Sequence, residues 1–161
     1  MWSVTKHAEK LRHVAPILYK VGAQAWIDYT YPRHIFVEVT AACNLLCSYC
    51  PRERRGNHMD FGLFKAIVDE ATQYGRRSFS LHLFGEPLLY PKIIEAITYL
   101  KNHHHTVLLT TNGTRLEQFA DSLIQAKVDK VIWTWRPEAT FTPETKEKLK
   151  KWGKFPLILQ Y

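Results

Sequence analysis

Cys43-Asn44-Leu45-Leu46-Cys47-Ser48-Tyr49-Cys50 follows the apolar, β-rich run His34 to Thr40 and contains all three cysteines of the chain. A tetrahedral zinc site or a fully protein-ligated iron–sulfur cluster needs a fourth ligand, and none stands nearby in sequence. Three thiolates on a four-iron cube leave one iron open, and an open metal position marks a site that binds a substrate. Core packing is the plain alternative, because cysteine also behaves as a small hydrophobe. Zinc completed by His58 or by one of His103, His104 and His105 is a further reading, although zinc motifs pair one C-x2-C with a second, distant one. An odd cysteine count disfavours disulfides, and Met1 to Tyr31 carries charges throughout without the continuous apolar core of a secretory signal. The chain is therefore expected to be cytoplasmic, where thiols stay reduced.

Outward from that loop, 161 residues with 46% hydrophobic and 23% charged side chains have the composition of one globular domain with a substantial core. No apolar stretch approaches the roughly 20 residues that span a bilayer, so no membrane partner is expected. The formal charge of +7 invites an anionic partner such as nucleic acid or an acidic peptide. Much of the excess sits in Lys146, Lys148, Lys150, Lys151 and Lys154, which read first as a solvated helix face.

Periodicity divides the chain at His34. Residues 1–33 form an N-terminal helical extension, with Leu11, Val14, Ala15, Leu18, Val21 and Ala25 on one stripe of a helix from Val4 to Trp26 and Pro16 as its kink. Residues 34–161 alternate strands and helices. Strands are expected at His34 to Thr40, Phe79 to Phe84, Thr106 to Thr111, Val128 to Trp135 and Pro156 to Gln160. Helices are expected from about Phe61 to Tyr74 behind an Asp60 cap, Tyr90 to Asn102, Leu116 to Ala126, and Thr142 to Trp152 with Pro143 in the first turn. Such alternation implies a parallel α/β sheet. Functional residues then belong at strand carboxyl ends, where Cys43, Gly85-Glu86-Pro87 and Asn112-Gly113 form one rim. His34 to Tyr161 has room for about four βα units of roughly 30 residues and a closing strand.

The C-x3-C-x2-C spacing, with an aromatic before the last cysteine, resembles the cluster motif of the radical S-adenosylmethionine (radical SAM) enzymes. Ser80 to Leu89 resembles their G-E-P segment and Thr110-Thr111-Asn112-Gly113 their T-N-G segment, in the expected order. The resemblance runs from about Pro32 to Trp135. It implies a partial parallel (βα) barrel, here of about five strands, and a 4Fe-4S cluster held by Cys43, Cys47 and Cys50. It implies that S-adenosylmethionine chelates the open iron and is cleaved by one electron to methionine and a deoxyadenosyl radical. Cofactor contacts then fall to Tyr49, Gly85, Glu86, Pro87, Thr111, Asn112 and Thr134. Gly85 is expected to let backbone approach the ligand, and the Glu86 carbonyl to accept from the methionine ammonium.

The sequence departs from the family in three places: Phe84 stands where many members have glycine, Arg136 where an acidic residue is usual, and no glycine-rich fifth-strand pattern is evident. His103-His104-His105 is expected at the sheet's amino end as a solvated connection. Arg52, Arg54 and Arg55 either meet an anion or are solvated, and Trp133 with Trp135 should pack on the face opposite Thr134.

The resemblance is strongest to peptide-modifying SPASM-type members, without their C-terminal domain. The first expectation is hydrogen abstraction from a peptide or other bulky substrate. The alternatives are a radical SAM enzyme acting on RNA or a nucleotide, and a non-catalytic iron–sulfur subunit. An external electron donor is implied. The short barrel suggests a truncated form, or a strand-five edge covered by the N-terminal helix, a partner chain or a second copy.

Overall fold

The computed structural model describes residues 22–23, 31–50, 56–134, 142–153 and 158–159. Met1–Arg33 and His34–Tyr161 are two compact units. In the first, Gly22 and Ala23 are helical, and the rest of the expected Val4 to Trp26 helix lies outside the described residues. So do Arg52, Arg54, Arg55, Trp135, Arg136 and Lys154.

The second unit carries a five-stranded sheet of β1 (His34–Phe36), β2 (Ser78–Ser80), β3 (Thr106–Thr111), β4 (Lys130–Thr134) and β5 (Ile158–Leu159). All neighbours are parallel and follow chain order, from His34 opposite Ser78 to Thr134 opposite Leu159. Among the described residues the sheet is open, as in a partial barrel. Burial alternates along β3, where Val107, Leu109 and Thr111 are buried and Thr106, Leu108 and Thr110 are partly exposed. Among the described residues, β3 thus has one face more deeply packed than the other.

The helices are α1 (Phe61–Thr72), α2 (Ile93–Asn102), α3 (Leu116–Gln125) and α4 (Pro143–Trp152). Asp60 caps α1 by accepting Leu63 N–H at 2.9 Å. The apolar stripes bury Phe64, Val68 and Ala71 of α1, and Ile93, Ala96, Ile97 and Leu100 of α2. Phe79, Leu81, Val107, Leu109 and Val131 are buried with them in the core. Trp133 is buried with them while Thr134 is half-exposed, as strand alternation requires.

Three expectations change. Regular pairing in β1 and β2 stops at Phe36 and Ser80, beyond which isolated ladder bonds continue: Val37 N–H to Ser80 O at 2.9 Å and Leu81 N–H to Leu108 O at 3.2 Å. Helix α2 begins at Ile93 because a 3-10 turn, Pro87–Leu89, intervenes. The histidine run is a solvated spacer only in part: His104 is exposed, but His105 is fully buried. Its Nδ1 accepts Arg77 N–H at 3.0 Å, and its Nε2 lies 3.0 Å from the Thr72 hydroxyl, whose hydrogen goes to Val68 O. Those partners fix a neutral imidazole protonated on Nε2. Among the described residues no helix is long and apolar enough to cross a membrane.

Candidate active site

The cysteine loop is pinched at its base. Ala41 N–H donates to Asn57 O and Met59 N–H to Val39 O, both at 2.9 Å, around an antiparallel bridge of Thr40 with His58. The Thr40 hydroxyl accepts Ala42 N–H at 3.0 Å and lies 2.8 Å from His58 Nδ1. His58, once a candidate zinc ligand, is thereby placed as a fastener of the loop.

Above that base, Cys43, Cys47 and Cys50 are all half-buried, none is in a disulfide, and all three line one cavity of about 370 Å³. The core-cysteine reading is thus excluded. Among the described residues no three His, Cys, Asp or Glu side chains already stand at metal-holding distance. Metal ligand sets of this kind are completed by the metal itself, whose binding energy orders the thiolates. The donor set fits such a group: three soft sulfur ligands on one wall of a cavity within the ordinary size range for small-molecule sites.

Gly85 marks where β2's extension meets that of β1. A Cβ there would stand 1.8 Å from Thr40 O and 3.1 Å from Ala42 O. The glycine is required by backbone of the same chain, and it also lines the cavity. Glu38 holds the same junction, its Oε1 accepting Phe84 N–H at 2.8 Å and Gly85 N–H at 3.0 Å. Glu86 N–H donates to Ala42 O at 2.8 Å.

The Glu86 side chain is held within the protein. It is buried, and its carboxyl accepts from Thr111 Oγ1 at 2.7 Å, Asn112 N at 2.7 Å and Leu88 N at 3.0 Å. Burial pushes this carboxyl above the usual range, against the pull of those donors and of Arg115. The Glu86 carbonyl, expected to face a ligand, accepts Leu89 N–H at 3.0 Å, and Pro87 is buried in the 3-10 turn, outside the cavity lining.

The remaining wall comes from β3, β4 and the Tyr49 turn. Thr111, Asn112 and Thr134 line the cavity, and Thr134 Oγ1 donates to Thr111 O at 3.1 Å. Tyr49 is 61% exposed at the rim, so it is no core tyrosine. Leu83 and Phe84 are exposed there too.

His82 also lines the cavity and was not singled out from sequence. Its Nδ1 accepts Thr110 N–H at 3.3 Å, leaving Nε2 to carry the proton, and burial followed by repulsion from His34 lowers its pKa. Nothing in a lone His between leucines signals this. Glu38 was equally silent, because its partners lie 46 and 47 residues away.

A family model described as "Radical SAM superfamily" matches residues 37–132. A probable GTP 3',8-cyclase of Methanococcus maripaludis is 36% identical over 104 residues, covering 62% of this chain and 35% of that protein. The chain thus spans about a third of that relative's length. Among solved structures, BtrN in complex with AdoMet and 2-DOIA superposes with a TM-score of 0.61 at 25% identity, covering 72% of this chain and 54% of that one. Streptococcus suis SuiB bound to precursor peptide SuiA gives 0.57 at 17% identity over 93% of this chain and 36% of that one, a likeness of fold. With the motif trio on consecutive strand ends and the match covering more than half its length, the chain belongs to the radical SAM superfamily, whose members work with a 4Fe-4S cluster and S-adenosylmethionine.

Proposed function

We propose that Cys43, Cys47 and Cys50 hold a 4Fe-4S cluster whose open iron takes S-adenosylmethionine, and that the chain carries out radical chemistry on a nucleotide. The observation that carries this reading is the convergence of three thiols, the Gly85-Glu86 junction, Thr111, Asn112 and Thr134 on one cavity. When bound, the cluster supplies the electron that cleaves S-adenosylmethionine to methionine and a deoxyadenosyl radical. An external one-electron donor is required.

The chain's own residues build the container. Gly85 and Glu38 seat the cavity floor against the end of β1's extension, and Glu86 ties that floor to Thr111 and Asn112. Thr134, its hydrogen given to Thr111 O, keeps oxygen lone pairs for a donor on the cofactor. Tyr49 offers an apolar face to a planar base, and His82 adds a neutral N–H donor.

The nucleotide class is favoured over the peptide class first expected. The 36% identical relative is named for action on GTP, whereas the peptide-bound neighbour shares only fold. A charge of +7 also suits a polyanionic substrate better than a neutral one. Cytoplasmic location follows from the oxygen-sensitive cluster this reading requires.

The test is anaerobic cluster reconstitution, reduction, and assay of deoxyadenosine with and without purine nucleoside triphosphates. Deoxyadenosine should form, rise with the nucleotide, and fall to background in Cys47→Ala together with the cluster absorbance. A cluster-loaded chain that leaves S-adenosylmethionine intact overturns the enzyme reading. Stimulation by peptides alone overturns the nucleotide class.

A further inference from the structure

Asn112, assigned above to the cofactor wall, has its side-chain amide fully occupied within the protein. Its Nδ2 donates to Asn44 Oδ1 at 3.0 Å and to Cys43 Sγ at 3.8 Å. Its Oδ1 accepts Thr114 N–H at 3.0 Å and the Thr114 hydroxyl at 2.7 Å. Thr114 Oγ1 in turn accepts from Asn44 Nδ2 at 2.8 Å. An amide offers two hydrogens and two lone pairs, so these four bonds use all of them.

The three side chains therefore close a ring: Asn44 donates to Thr114, Thr114 to Asn112, and Asn112 back to Asn44. The amide orientation is fixed independently, because Thr114 N–H can only donate and so must meet oxygen. Asn44 is the residue next to Cys43, and Asn112 N–H is itself anchored on the buried Glu86 carboxyl at 2.7 Å. One continuous hydrogen-bonded path thus leads from the buried carboxyl through Asn112 to the first cysteine.

We infer that the Asn44–Asn112–Thr114 ring is a positioning clamp, which locks the Cys43 end of the metal loop onto the turn after β3 and supplies an N–H donor to the Cys43 sulfur. This rests on the reading that Cys43 is a cluster ligand. Asn112 is then a positioning residue, acting through Cys43 and not by touching S-adenosylmethionine. The clamp has two separable consequences. Mechanically, it holds Cys43 while Cys47 and Cys50 are drawn in by the metal. Electrostatically, a hydrogen bond to a ligating sulfur stabilises the more negative, reduced cluster and raises its potential, and outer partners of this kind commonly change metal retention about 10–100-fold.

The experiment uses the full chain in two states. In the metal-free protein, hydrogen exchange over residues 43–50 should be faster in Asn112→Ala and in Thr114→Val, while Thr114→Ser, which keeps the hydroxyl, should match the parent. In the reconstituted protein, iron loss to a chelator should be about tenfold faster in Asn112→Ala, and the cluster's midpoint potential, followed by EPR, should fall. Thr114→Val should lose iron faster with a smaller change of potential, since the Cys43 donor remains.

Unchanged exchange in both Asn112→Ala and Thr114→Val overturns the clamp. Parent-like potential and iron retention in Asn112→Ala overturn the sulfur-donor role. If the parent chain takes up no cluster, the functional reading fails, and the exchange measurement on the metal-free protein still decides whether the ring holds the loop.

Discussion

A single hydrogen at the α-carbon of Gly85 decides whether the ends of β1 and β2 can meet. With a Cβ only 1.8 Å from Thr40 O, the obstacle is backbone, so no rotamer change relieves it. Gly85→Ala is expected to cost at least about 3 kcal/mol, at the severe end for a point substitution, read as a lower urea midpoint with unchanged m-value. Parent-like stability would sink this account. The glycine was legible as a point of close approach, but its partner was not, since pattern names positions and not the strand that crosses them. Glu86 shows the same limit. Its motif drew attention to the residue, while the three donors on its carboxyl come from residues 2, 25 and 26 positions away. Asn112 was legible as a site residue, while the partners of its amide, Asn44, Cys43 and Thr114, were not.

Elements were legible where local chemistry alone defines them. Strand β3 matches its expected span, Thr106–Thr111, because a short β-rich run ends at the Asn112-Gly113 turn between two amphipathic helices. Helix α4 matches because both ends are chemically punctuated. Thr142 caps it by accepting Thr145 N–H at 3.2 Å, Pro143 enters its first turn, and Gly153 at φ 66° ends it in the left-handed region. Where neighbours decide, the reading slipped. Helix α2 starts at Ile93 and not at the expected Tyr90, since Tyr90 N–H and Ile93 N–H both bond within 3-10-like turns. The antiparallel bridge at Thr40 and His58 left no sequence signal either. The cap carries a prediction. Thr142→Ala should lower stability by about 1 kcal/mol, and Thr142→Asp should retain it, because the carboxylate both caps and complements the helix dipole. Thermal unfolding of the two variants beside the parent checks this, and equal losses in both would show that the cap hydrogen bond contributes nothing.

Across the whole molecule, two imidazoles sit at opposite ends of the sheet and make stability pH-dependent. His82 stands beyond the carboxyl end of β2, and His105 just before the amino end of β3. Burial is the leading cause of a lowered pKa in both. His34 adds repulsion at His82. At His105, His103, Arg77 and Arg76 do so, partly offset by the Val68 backbone. In the unfolded chain each titrates near 6.5, and in the folded chain each titrates lower. Above 6.5 both states are neutral and the full stability is present. As pH falls below that value, the unfolded chain takes up protons that the folded chain refuses, and stability is lost down to the folded pKa values. Glu86 opposes this trend, because its raised pKa gives a contribution that declines as pH rises. Comparison of the parent with His82→Phe therefore isolates the imidazole, Glu86 being common to both. Urea midpoints of the cluster-free protein between about pH 8 and pH 5 should fall on acidification. His82→Phe should flatten that fall without abolishing it, since the distant His105 contributes independently. A variant whose profile parallels the parent's across the whole range would show that His82 is not held neutral by the fold, and would remove the basis for treating it as a fixed N–H donor in the cavity.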